Sequence, residues 1–487
     1  MNYSEFLKMI PEAYLVLALI LVFFGDFCLH RSEKKNALLS KLTCLLLLGQ
    51  IPVCLFANAE SAFGGLYVTS AAVNVMKVIL AFGTLIVVIM SQAWLKINEK
   101  LSGEFYMLII STLLGMFIMI SSGNFLMFFL GLETASVPMA CLVAFDKLKK
   151  KSAEGAAKYI LTATFSSGVM LYGISFLYGV AGTLYFDDMA AVLAQSDWWT
   201  ADWSLCIAGL VFFFSGLGFK LSLVPFHFWT ADTYEGAPTP VTGYLSVISK
   251  GAAALALLII LDKVFGSMVE ARQILLGTVI MLTITIGNLF AIRQSELKRF
   301  MAFSSISQAG YIMLAAMGDA AMGTAALSYY VLVYVVANMA VFTVIHTVEQ
   351  NATVTVNGQS LTAMSAYNGF YQTNPKLSFL MTLALFSLAG IPPFAGMFSK
   401  FFVFMAAAAD GSWWCYLVVF IALINTVVSL YYYLLIVKAM YITKTDTPLA
   451  TFQSDFNSRL ALGLCTAGVI AFGVVSCIYS WIAAAAL

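Results

Sequence analysis

The sequence predicts an all-α polytopic membrane protein with about fourteen transmembrane helices. Of its 487 residues, 61% are hydrophobic and only 10% are charged, which leaves little sequence for a soluble domain. Apolar runs that can cross a bilayer, which takes about 20 residues per helix, follow one another along the chain. Because the hydrocarbon core offers backbone groups no water, these runs must be helical.

Hydropathy places the spans in order along the chain. The predicted spans are 11–29, 38–57, 70–92, 105–121, 123–145, 156–181, 204–225, 240–262, 273–292, 301–318, 324–347, 377–409, 413–440 and 459–484. The first run lacks a small-residue cleavage pattern, and its basic residues follow it. We therefore expect a retained helix rather than a cleaved signal peptide.

Basic residues are distributed unevenly between the two sets of loops. The loops after spans 1, 3, 5, 9, 11 and 13 hold most lysines and arginines, whereas the opposite side holds Lys8, Lys263 and Arg272. The positive-inside rule then predicts that both termini lie outside the cytoplasm. The formal net charge is +1 and no basic face accumulates, which argues against nucleic acid as a partner.

The eight cysteines are scattered through apolar runs and form no CxxC pair. Buried thiols without a special role are therefore expected, and no metal site or disulfide is predicted. The residues of this chain predict neither an iron–sulfur cluster nor a haem.

Two of the predicted spans are interrupted in the same way. The segments FSGLGFKLSLVP (214–225) and FSLAGIPPFAGMFSK (386–400) share a Phe-Ser-x-x-Gly start, a proline interruption and a lysine. Helix-breaking residues are tolerated in membranes where the freed backbone lines protein or a water-filled cavity. A matching pair in two halves of a chain indicates repeated transporter units.

Several ionisable residues lie inside the predicted spans, and four of them are central: Glu133, Lys220, Lys250 and Lys400. A charge at the centre of a membrane helix costs about 2.5 to 3.5 kcal/mol, so these residues are expected to have a role. A structural ion pair between helices is the alternative for Glu133. For Lys400, which follows Pro392 and Pro393 in a long span, snorkelling to the interface is the alternative.

Four further residues leave more than one interpretation open. Lys158 lies near the start of span 6, where snorkelling competes with a buried role. His227 follows Pro225 and is either a satisfied loop histidine or a proton carrier, since imidazole titrates near neutral pH. Asp26 and Lys77 are expected to be interfacial or to pair helices.

Lysine and glutamate suit a proton pathway for a physical reason. Burial favours the neutral form of a lysine, and a nearby carboxylate favours its charged form. At an effective dielectric constant near 20, moving a carboxylate from about 6 to about 10 Å changes the pair energy by roughly 1 kcal/mol. A small rearrangement can therefore load or release a proton, so the residues predict a proton or cation pathway.

The segment GLGFKLSLVPFHFWTADTYEGAPTPVTGYLSVISK (216–250) resembles the antiporter-like membrane subunits of respiratory complex I. The segments FLGLETASVP, QSELKRFMAFSSISQAGY and SLAGIPPFAGMFSKFFVF agree with the same family, and the similarity spans essentially the whole chain. Within the family, the sequence resembles the subunit N branch most. The features that support this are Lys250, Lys400 and an end at span 14. Ala231 departs from the family, in which proline is common at this position.

The resemblance implies a role for each of six residues. Glu133 and Lys220 would be the carboxylate and lysine pair of a first half-channel, Lys250 the central lysine, and Lys400 the lysine of a second half-channel. Lys158 and His227 would bridge between them. The resemblance also implies two inverted five-helix repeats, at about 105–262 and 273–440. Three helices within residues 1–104 would precede them and a C-terminal helix within 441–487 would follow.

The same resemblance implies the surroundings of the chain. It would lie in a bacterial inner membrane, beside lipid, other antiporter-like subunits and the peripheral subunits of complex I. NADH, FMN, iron–sulfur clusters and quinone would belong to those partner subunits, and this chain would couple their redox energy to proton pumping.

Two other hypotheses remain at this stage. A subunit of a multisubunit cation/proton antiporter or of a membrane-bound hydrogenase would share the broken helices and the lysines. A structural scaffold would use its buried charges only to pair helices, and its Glu133 and Lys220 could be replaced without loss of pumping.

Overall fold

The computed structural model of the protein describes residues 3–29, 32, 34–195, 201–351, 361–445, 448–475 and 477–486. Most of these residues are helical. The helices are α1 (Ile10–Cys28), α2 (Lys35–Leu55), α3 (Ala71–Leu95), α4 (Ser102–Ile120), α5 (Phe125–Val143), α6 (Lys150–Ala181), α7 (Phe186–Leu193), α8 (Ala201–Leu221), α9 (Phe228–Gly236), α10 (Thr239–Tyr244), α11 (Lys250–Lys263), α12 (Val269–Ile292), α13 (Leu297–Met313), α14 (Ala320–Asn351), α15 (Phe370–Thr373), α16 (Pro375–Ala389), α17 (Ala395–Ala408), α18 (Trp413–Tyr441), α19 (Phe456–Val474) and α20 (Cys477–Ala486). A short antiparallel hairpin pairs β1 (Ser61–Ala62) with β2 (Tyr67–Val68) between α2 and α3.

The predicted fold class is confirmed. In the described part of the chain, thirteen helical segments are long and apolar enough to cross a membrane. The predicted span 377–409 is divided between the shorter helices α16 and α17. The predicted span 459–484 corresponds to α19 followed by the short helix α20, and residue 476 between them lies outside the described residues.

Four spans form the interior of the bundle, and the others surround them. The segments Ala71–Leu95, Thr239–Lys263, Leu297–Met317 and Ala320–Asn351 are almost wholly buried, whereas α1, α6, α18 and α19 expose much of their apolar surface. Small residues allow the interior helices to approach closely. A Cβ atom added at Gly251 on α11 would lie only 2.6 Å from Cγ1 of Val331 on α14.

The first predicted break lies after Leu221. Ser222 has a left-handed backbone with φ of 61°, and the chain is not α-helical again until Phe228 begins α9. Other elements bind the freed backbone groups, as a membrane interior requires. The amide of Val224 donates to Oγ1 of Thr283 on α12 at 3.0 Å. The carbonyl of Phe219 accepts a hydrogen bond from Trp229 at 3.1 Å.

The second predicted break separates α16 from α17. Gly390 ends α16 with a left-handed φ of 88°, and Pro392 and Pro393 follow it. Helix α17 then starts so close to α16 that a Cβ at Gly396 would lie 1.6 Å from the carbonyl oxygen of Ser387. Glycine is therefore required at this position. Both breaks contain a cis peptide bond, at Val224–Pro225 and at Pro392–Pro393.

A third irregularity was not predicted. The backbone between α10 and α11 forms a π-helical turn over Leu245–Ser249, and Lys250 follows it directly. π-helical turns inside α-helices are rare and occur frequently at functional sites. Lys250 therefore shares with Lys220 and Lys400 a position beside an irregular backbone.

Helices α4 and α5 are in contact through two glycines. A Cβ at Gly115 would lie 2.3 Å from the backbone nitrogen of Ala135, and a Cβ at Gly131 would lie 2.5 Å from the backbone nitrogen of Met119. This contact fixes the position of α5, which carries Glu133 and Ser136.

Replacing Gly115 by alanine is expected to destabilise the protein by about 1 to 3 kcal/mol, the usual cost of overpacking a well-packed interior. The comparison variant is Gly168→Ala on α6, where an added Cβ meets no atom within 4 Å. Thermal unfolding of the two variants in detergent provides the measurement. Equal unfolding midpoints for Gly115→Ala and Gly168→Ala would show that α4 and α5 can move apart without loss of stability.

Candidate proton-translocation site

Lys220 lies in the last turn of α8, where α8 meets α5 and α6. Its Nζ atom donates to Oγ of Ser136 at 2.8 Å and to the hydroxyl of Tyr159 at 3.1 Å. The side chain also borders a small cavity lined in part by Ser167 and Gly216, with room for about one water. A buried amine with neutral partners and space for a water is suited to exchanging a proton.

Glu133 does not form the expected pair with Lys220. The two side chains are not joined by a salt bridge within 4.0 Å, and Ser136, one turn further along α5, contacts the lysine instead. Glu133 is partly exposed and lies on the side of α5 that also exposes Leu130 and Val137. The rotation of α5 about its axis therefore directs the serine, rather than the carboxylate, toward Lys220.

His227 lies in the break between α8 and α9, as expected. It is buried, and its ring stacks on Phe228 with 4.5 Å between the ring centroids. Its Nδ1 atom has no hydrogen-bond partner among the described residues. No direct hydrogen bond joins it to Lys220 or to Lys250 in that part of the chain, so any exchange with them needs an intermediate.

Lys250 is the first residue of α11 and is almost completely buried. Its Nζ atom donates to Oγ of Ser305 on α13 at 2.7 Å and to the carbonyl oxygen of the same residue at 3.3 Å. Oγ of Ser305 in turn donates to the hydroxyl of Tyr234 on α9 at 3.2 Å. The ammonium group also lies 5.6 Å from the centre of the Tyr234 ring.

Lys400 lies on α17, and its side chain reaches back across the second break. Its Nζ atom donates to the carbonyl oxygen of Ala389 at 3.0 Å and lies 4.9 Å from the centre of the Tyr311 ring. With Gln308 and Ser387 it borders a small cavity with room for about one water. The side chain is buried, so the expected alternative of snorkelling to the interface does not apply.

A polar chain on α13 starts at Ser304, next to the Lys250 partner Ser305, and reaches the cavity beside Lys400. Ser304 and Gln308 both hydrogen-bond to the hydroxyl of Tyr433, Gln308 at 3.2 Å. Gln308 also donates to the carbonyl oxygen of Leu388 at 3.3 Å and accepts from the hydroxyl of Tyr330. The sequence analysis missed these residues. The run SSISQ (304–308) in a wholly buried helix was the signal that could have identified them.

Lys158 occupies a different kind of environment. Its side chain is 43% exposed and forms salt bridges of 2.6 Å with Glu154 on α6 and with Asp232 on α9. The next residue, Tyr159, is the one that contacts Lys220. Lys158 is therefore partly solvated and paired, unlike the three buried lysines.

The pair with Asp232 belongs to a larger ion-pair network. Arg299 on α13 contacts Asp232 at 2.7 Å and Glu235 at 2.8 Å, and Lys151 contacts Glu235 at 2.6 Å. Burial raises the pKa of both carboxyl groups, but hydrogen bonds from the lysines and from Arg299 outweigh it and hold each pKa below its ordinary value. The sequence analysis did not identify this network.

One buried and one partly buried ion pair tie the first three helices together. Lys77 on α3 contacts Glu12 on α1 at 2.6 Å, and Tyr67 donates to the same carboxylate at 3.0 Å. Lys35 on α2 contacts Asp26 on α1 at 2.8 Å. Lys77 and Asp26 were expected either to be interfacial or to pair helices, and the structure shows that both pair helices. Glu12 was not identified.

A membrane helix bundle with two broken helices, in which Lys220, Lys250 and Lys400 are buried without carboxylate partners in the part of the chain that the structure describes, defines the antiporter-like class of membrane subunits. The family model described as "NADH:quinone oxidoreductase/Mrp antiporter, TM" matches residues 122–426. The NADH-quinone oxidoreductase subunit N of Phocaeicola vulgatus is 54% identical over 98% of both chains. The chain therefore belongs to the NADH-quinone oxidoreductase subunit N family.

Solved structures agree with this fold. A chain of respiratory complex I from Thermus thermophilus with bound aureothin is 28% identical, with a TM-score of 0.76 over 96% of this chain and 97% of that one. A chain of the Mrp complex from Dietzia is 18% identical, with a TM-score of 0.82 over 100% of this chain and 97% of that one. The second match, at low identity, concerns the fold alone. Within the described residues no group of three or more His, Cys, Asp or Glu side chains is arranged to hold a metal.

Proposed function

We propose that this chain is the proton-translocating membrane subunit N of an NADH-quinone oxidoreductase. Electron transfer from NADH to quinone would take place in other subunits, and this chain would couple it to proton pumping. NADH, FMN, iron–sulfur clusters and quinone would bind to those partners. Membership of the subunit N family, with 54% identity to a relative of that name, supports the assignment.

One observation carries the proposal. Lys220, Lys250 and Lys400 are buried, and each amine has only neutral hydrogen-bond partners, without a salt bridge in the described part of the chain. Among the described residues, no carboxylate holds these three amines in a fixed ion pair, and each lies against hydroxyl or carbonyl oxygens. This arrangement is the one expected of groups that carry a proton.

The positions of the lysines suggest a pathway with stations along the membrane interior. Lys220 would load a proton at the first break, Lys250 would hold it at the centre, and Lys400 would release it at the second break. His227 would connect Lys220 with Lys250, and the polar chain through Gln308 would connect Lys250 with Lys400. The groups between the lysines are hydroxyl, amide and imidazole groups, which can both donate and accept hydrogen bonds.

Glu133 and Lys158 would act at the margins of this pathway. Glu133 lies on a partly exposed side of α5. The negative charge of its carboxylate would favour the protonated form of Lys220 from a distance. Lys158 would hold Asp232 and so connect α6 with α9.

The membrane orientation and the internal repeats are part of the same proposal. Both termini would lie outside the cytoplasm, which places the Lys158 and Arg299 network on the cytoplasmic side. The repeats would span about 105–262 and 273–440, with one break in each. The similar positions of Gly218 and Gly390, each beside a break and a lysine, support this division.

Replacing Lys220 by alanine or by arginine tests the function. We expect both variants to lower proton pumping and coupled turnover by about a hundredfold, the scale of a lost acid–base step. Alanine holds no proton, and arginine does not release one. The measurement is acidification of proteoliposomes that contain the whole purified complex and oxidise NADH with quinone.

The control is Lys41→Ala, which removes an exposed lysine from α2. Wild-type pumping by an assembled Lys220→Arg complex would contradict the proposal that Lys220 takes up the proton. Loss of assembly together with normal pumping by the remaining complex would favour the scaffold hypothesis.

A further inference from the structure

We propose that Arg299 is a positioning residue for proton transfer at Lys250. Together with Lys298, it clamps the half-helix α9 against α13 and so fixes the hydroxyl groups of Tyr234 and Ser305 beside the lysine. This inference rests on the proposed function, because it concerns how the environment of Lys250 is held in place.

The first turn of α13 makes three cationic contacts with α9. A single Nη1 atom of Arg299 lies 2.7 Å from Oδ1 of Asp232 and 2.8 Å from Oε2 of Glu235. The next contact is at the end of α9, where the buried Nζ of Lys298 donates to the carbonyl oxygen of Ala237 at 2.6 Å. Cations are favourable at helix C-termini, where carbonyl groups lack partners. The arginine thus holds the side of the half-helix and the lysine holds its end.

Helix α6 holds the opposite side of α9. Lys151 and Lys158 contact the remaining oxygens of the two α9 carboxylates, each at 2.6 Å. The backbones are also in close contact, because a Cβ at Gly236 would lie 2.1 Å from the carbonyl oxygen of Lys151. Thr233 adds a hydrogen bond to the carbonyl oxygen of Gly155 at 3.2 Å. Because α6 fixes one side, the position of α9 relative to α13 depends on Arg299 and Lys298.

The clamped helices carry the two hydroxyl groups nearest to Lys250. Tyr234 lies on α9 between the two carboxylates, and Ser305 lies on α13 six residues after Arg299, or about 9 Å further along the helix axis. Arg299 is therefore too far along the helix to act on Lys250 by contact. It acts by setting the distance between α9 and α13, which the hydrogen bond from Ser305 to Tyr234 has to span.

The direction of that hydrogen bond matters for the lysine. A serine hydroxyl has one proton, and Ser305 donates it to Tyr234, so a lone pair of its Oγ faces the Nζ of Lys250. This arrangement stabilises the charged amine. When the amine loses its proton, the hydroxyl can turn and donate to the neutral nitrogen, provided that Tyr234 stays close enough to donate to Ser305 in return. A displaced α9 would remove this second arrangement.

The two carboxylates held by Arg299 keep their charge near neutral pH. The pKa of Asp232 and that of Glu235 lie below their ordinary values, so the ion pairs are present above the ordinary carboxyl range and are lost only as the pH falls through the lowered values. The groups that face these carboxylates are Lys151, Lys158 and Arg299. A change in the pH profile of pumping at neutral pH therefore does not come from titration of Asp232 or Glu235.

The test uses Arg299→Gln and Arg299→Lys in the intact complex, reconstituted into vesicles. We expect Arg299→Gln to lower coupled turnover about tenfold, since small misplacements of reacting groups have large effects on rate, and to shift its pH profile. Arg299→Lys should recover part of the rate, because an ammonium restores a positive charge near the two carboxylates, although the lysine side chain is shorter. The matched control is Arg293→Gln, which removes an exposed arginine six residues earlier.

A double-variant cycle separates positioning from a general structural role. If Arg299 acts through Ser305, then Arg299→Gln should have little further effect in a Ser305→Ala background. Equal fractional losses in the two backgrounds would overturn the proposal. So would an assembled Arg299→Gln complex that matches Arg293→Gln in rate and pH profile, or loss of the chain from the complex in both Arg299 variants.

These outcomes are distinct from a failure of the proposed function. If Lys220→Ala and Lys250→Ala complexes pump normally, the function itself fails. If the lysine variants stop pumping while Arg299→Gln has no effect, only the clamp fails.

Discussion

Replacing Lys250 by alanine in the assembled complex is expected to lower proton pumping about a hundredfold, which is the scale of a missing acid–base group. Lys250 lies on one of the four interior spans and is almost completely buried. The hydroxyl groups of Ser305 and Tyr234 can pass a proton onward, but a neutral hydroxyl does not store one near neutral pH. Without the amine, the pathway loses the proton-binding group at its centre.

The measurement is the number of protons pumped and the rate of NADH oxidation by the same vesicles. Lys250→Arg should fail as well, because the guanidinium stays charged. Ser305→Ala should have a smaller effect, since the carbonyl oxygen of Ser305 still accepts from the amine. The control is Lys263→Ala at the exposed end of the same helix. Normal pumping by an assembled Lys250→Ala complex would contradict the central role.

The breaks and their lysines were predictable because the signals are local. Proline kinks or breaks a helix, and a lysine within an apolar run is costly in any orientation. Pro52 and Pro138 lie inside the continuous helices α2 and α5, so a proline alone does not locate a break. Pro225 and Pro393 with Lys220 and Lys400 therefore located both breaks. The π-helical turn over Leu245–Ser249 had no such signal, because its residues are ordinary in a membrane helix and only packing decides their backbone.

The partners of the lysines were not predictable, because they depend on how each helix is rotated. Glu133 and Ser136 are three residues apart on α5, and hydropathy does not distinguish which of them faces α8. The structure turns the serine inward. Family resemblance had implied that Glu133 and Lys220 form a pair. An interaction between Glu133 and Lys220 over a distance remains compatible with the family resemblance. In this structure the two residues are not in contact.

The ionic clamp was missed for a related reason. Asp232, Glu235 and Arg299 lie outside or at the ends of the predicted spans, where charged residues are expected and carry little information. These charges matter because they position the half-helix α9. The first break predicts that α9 exists, but it does not predict how α9 packs against α13. Charges at span ends become informative once the neighbouring helix is known.

Removing Lys77 from its buried ion pair with Glu12 is expected to have a large effect on stability. Lys77→Met should destabilise the protein by about 3 to 5 kcal/mol, the usual cost of leaving one buried charge without its partner. Lys77 is completely buried and contacts Glu12, whose side chain is 4% exposed, at 2.6 Å. Tyr67 still donates to the carboxylate, but one neutral hydrogen bond does not replace an ammonium group.

The double variant Lys77→Met with Glu12→Gln should recover most of this loss, because replacing both charges avoids the unpaired carboxylate. The measurement is the temperature at which the complex loses this chain, together with turnover per assembled complex. Lys35→Met is the matched comparison, since its partner Asp26 is 25% exposed and better solvated, and the loss should be smaller. No recovery in the double variant would show that Glu12 or Lys77 has a further role.

The two predictions separate two uses of one residue type. A lysine with a carboxylate at contact distance, such as Lys77, forms an ion pair that ties α1 to α3. A lysine with only hydroxyl or carbonyl partners, such as Lys250, has no charge to hold its proton. Loss of Lys77 should therefore reduce the amount of assembled complex while the remaining complex pumps normally. Loss of Lys250 should leave assembly intact and stop pumping.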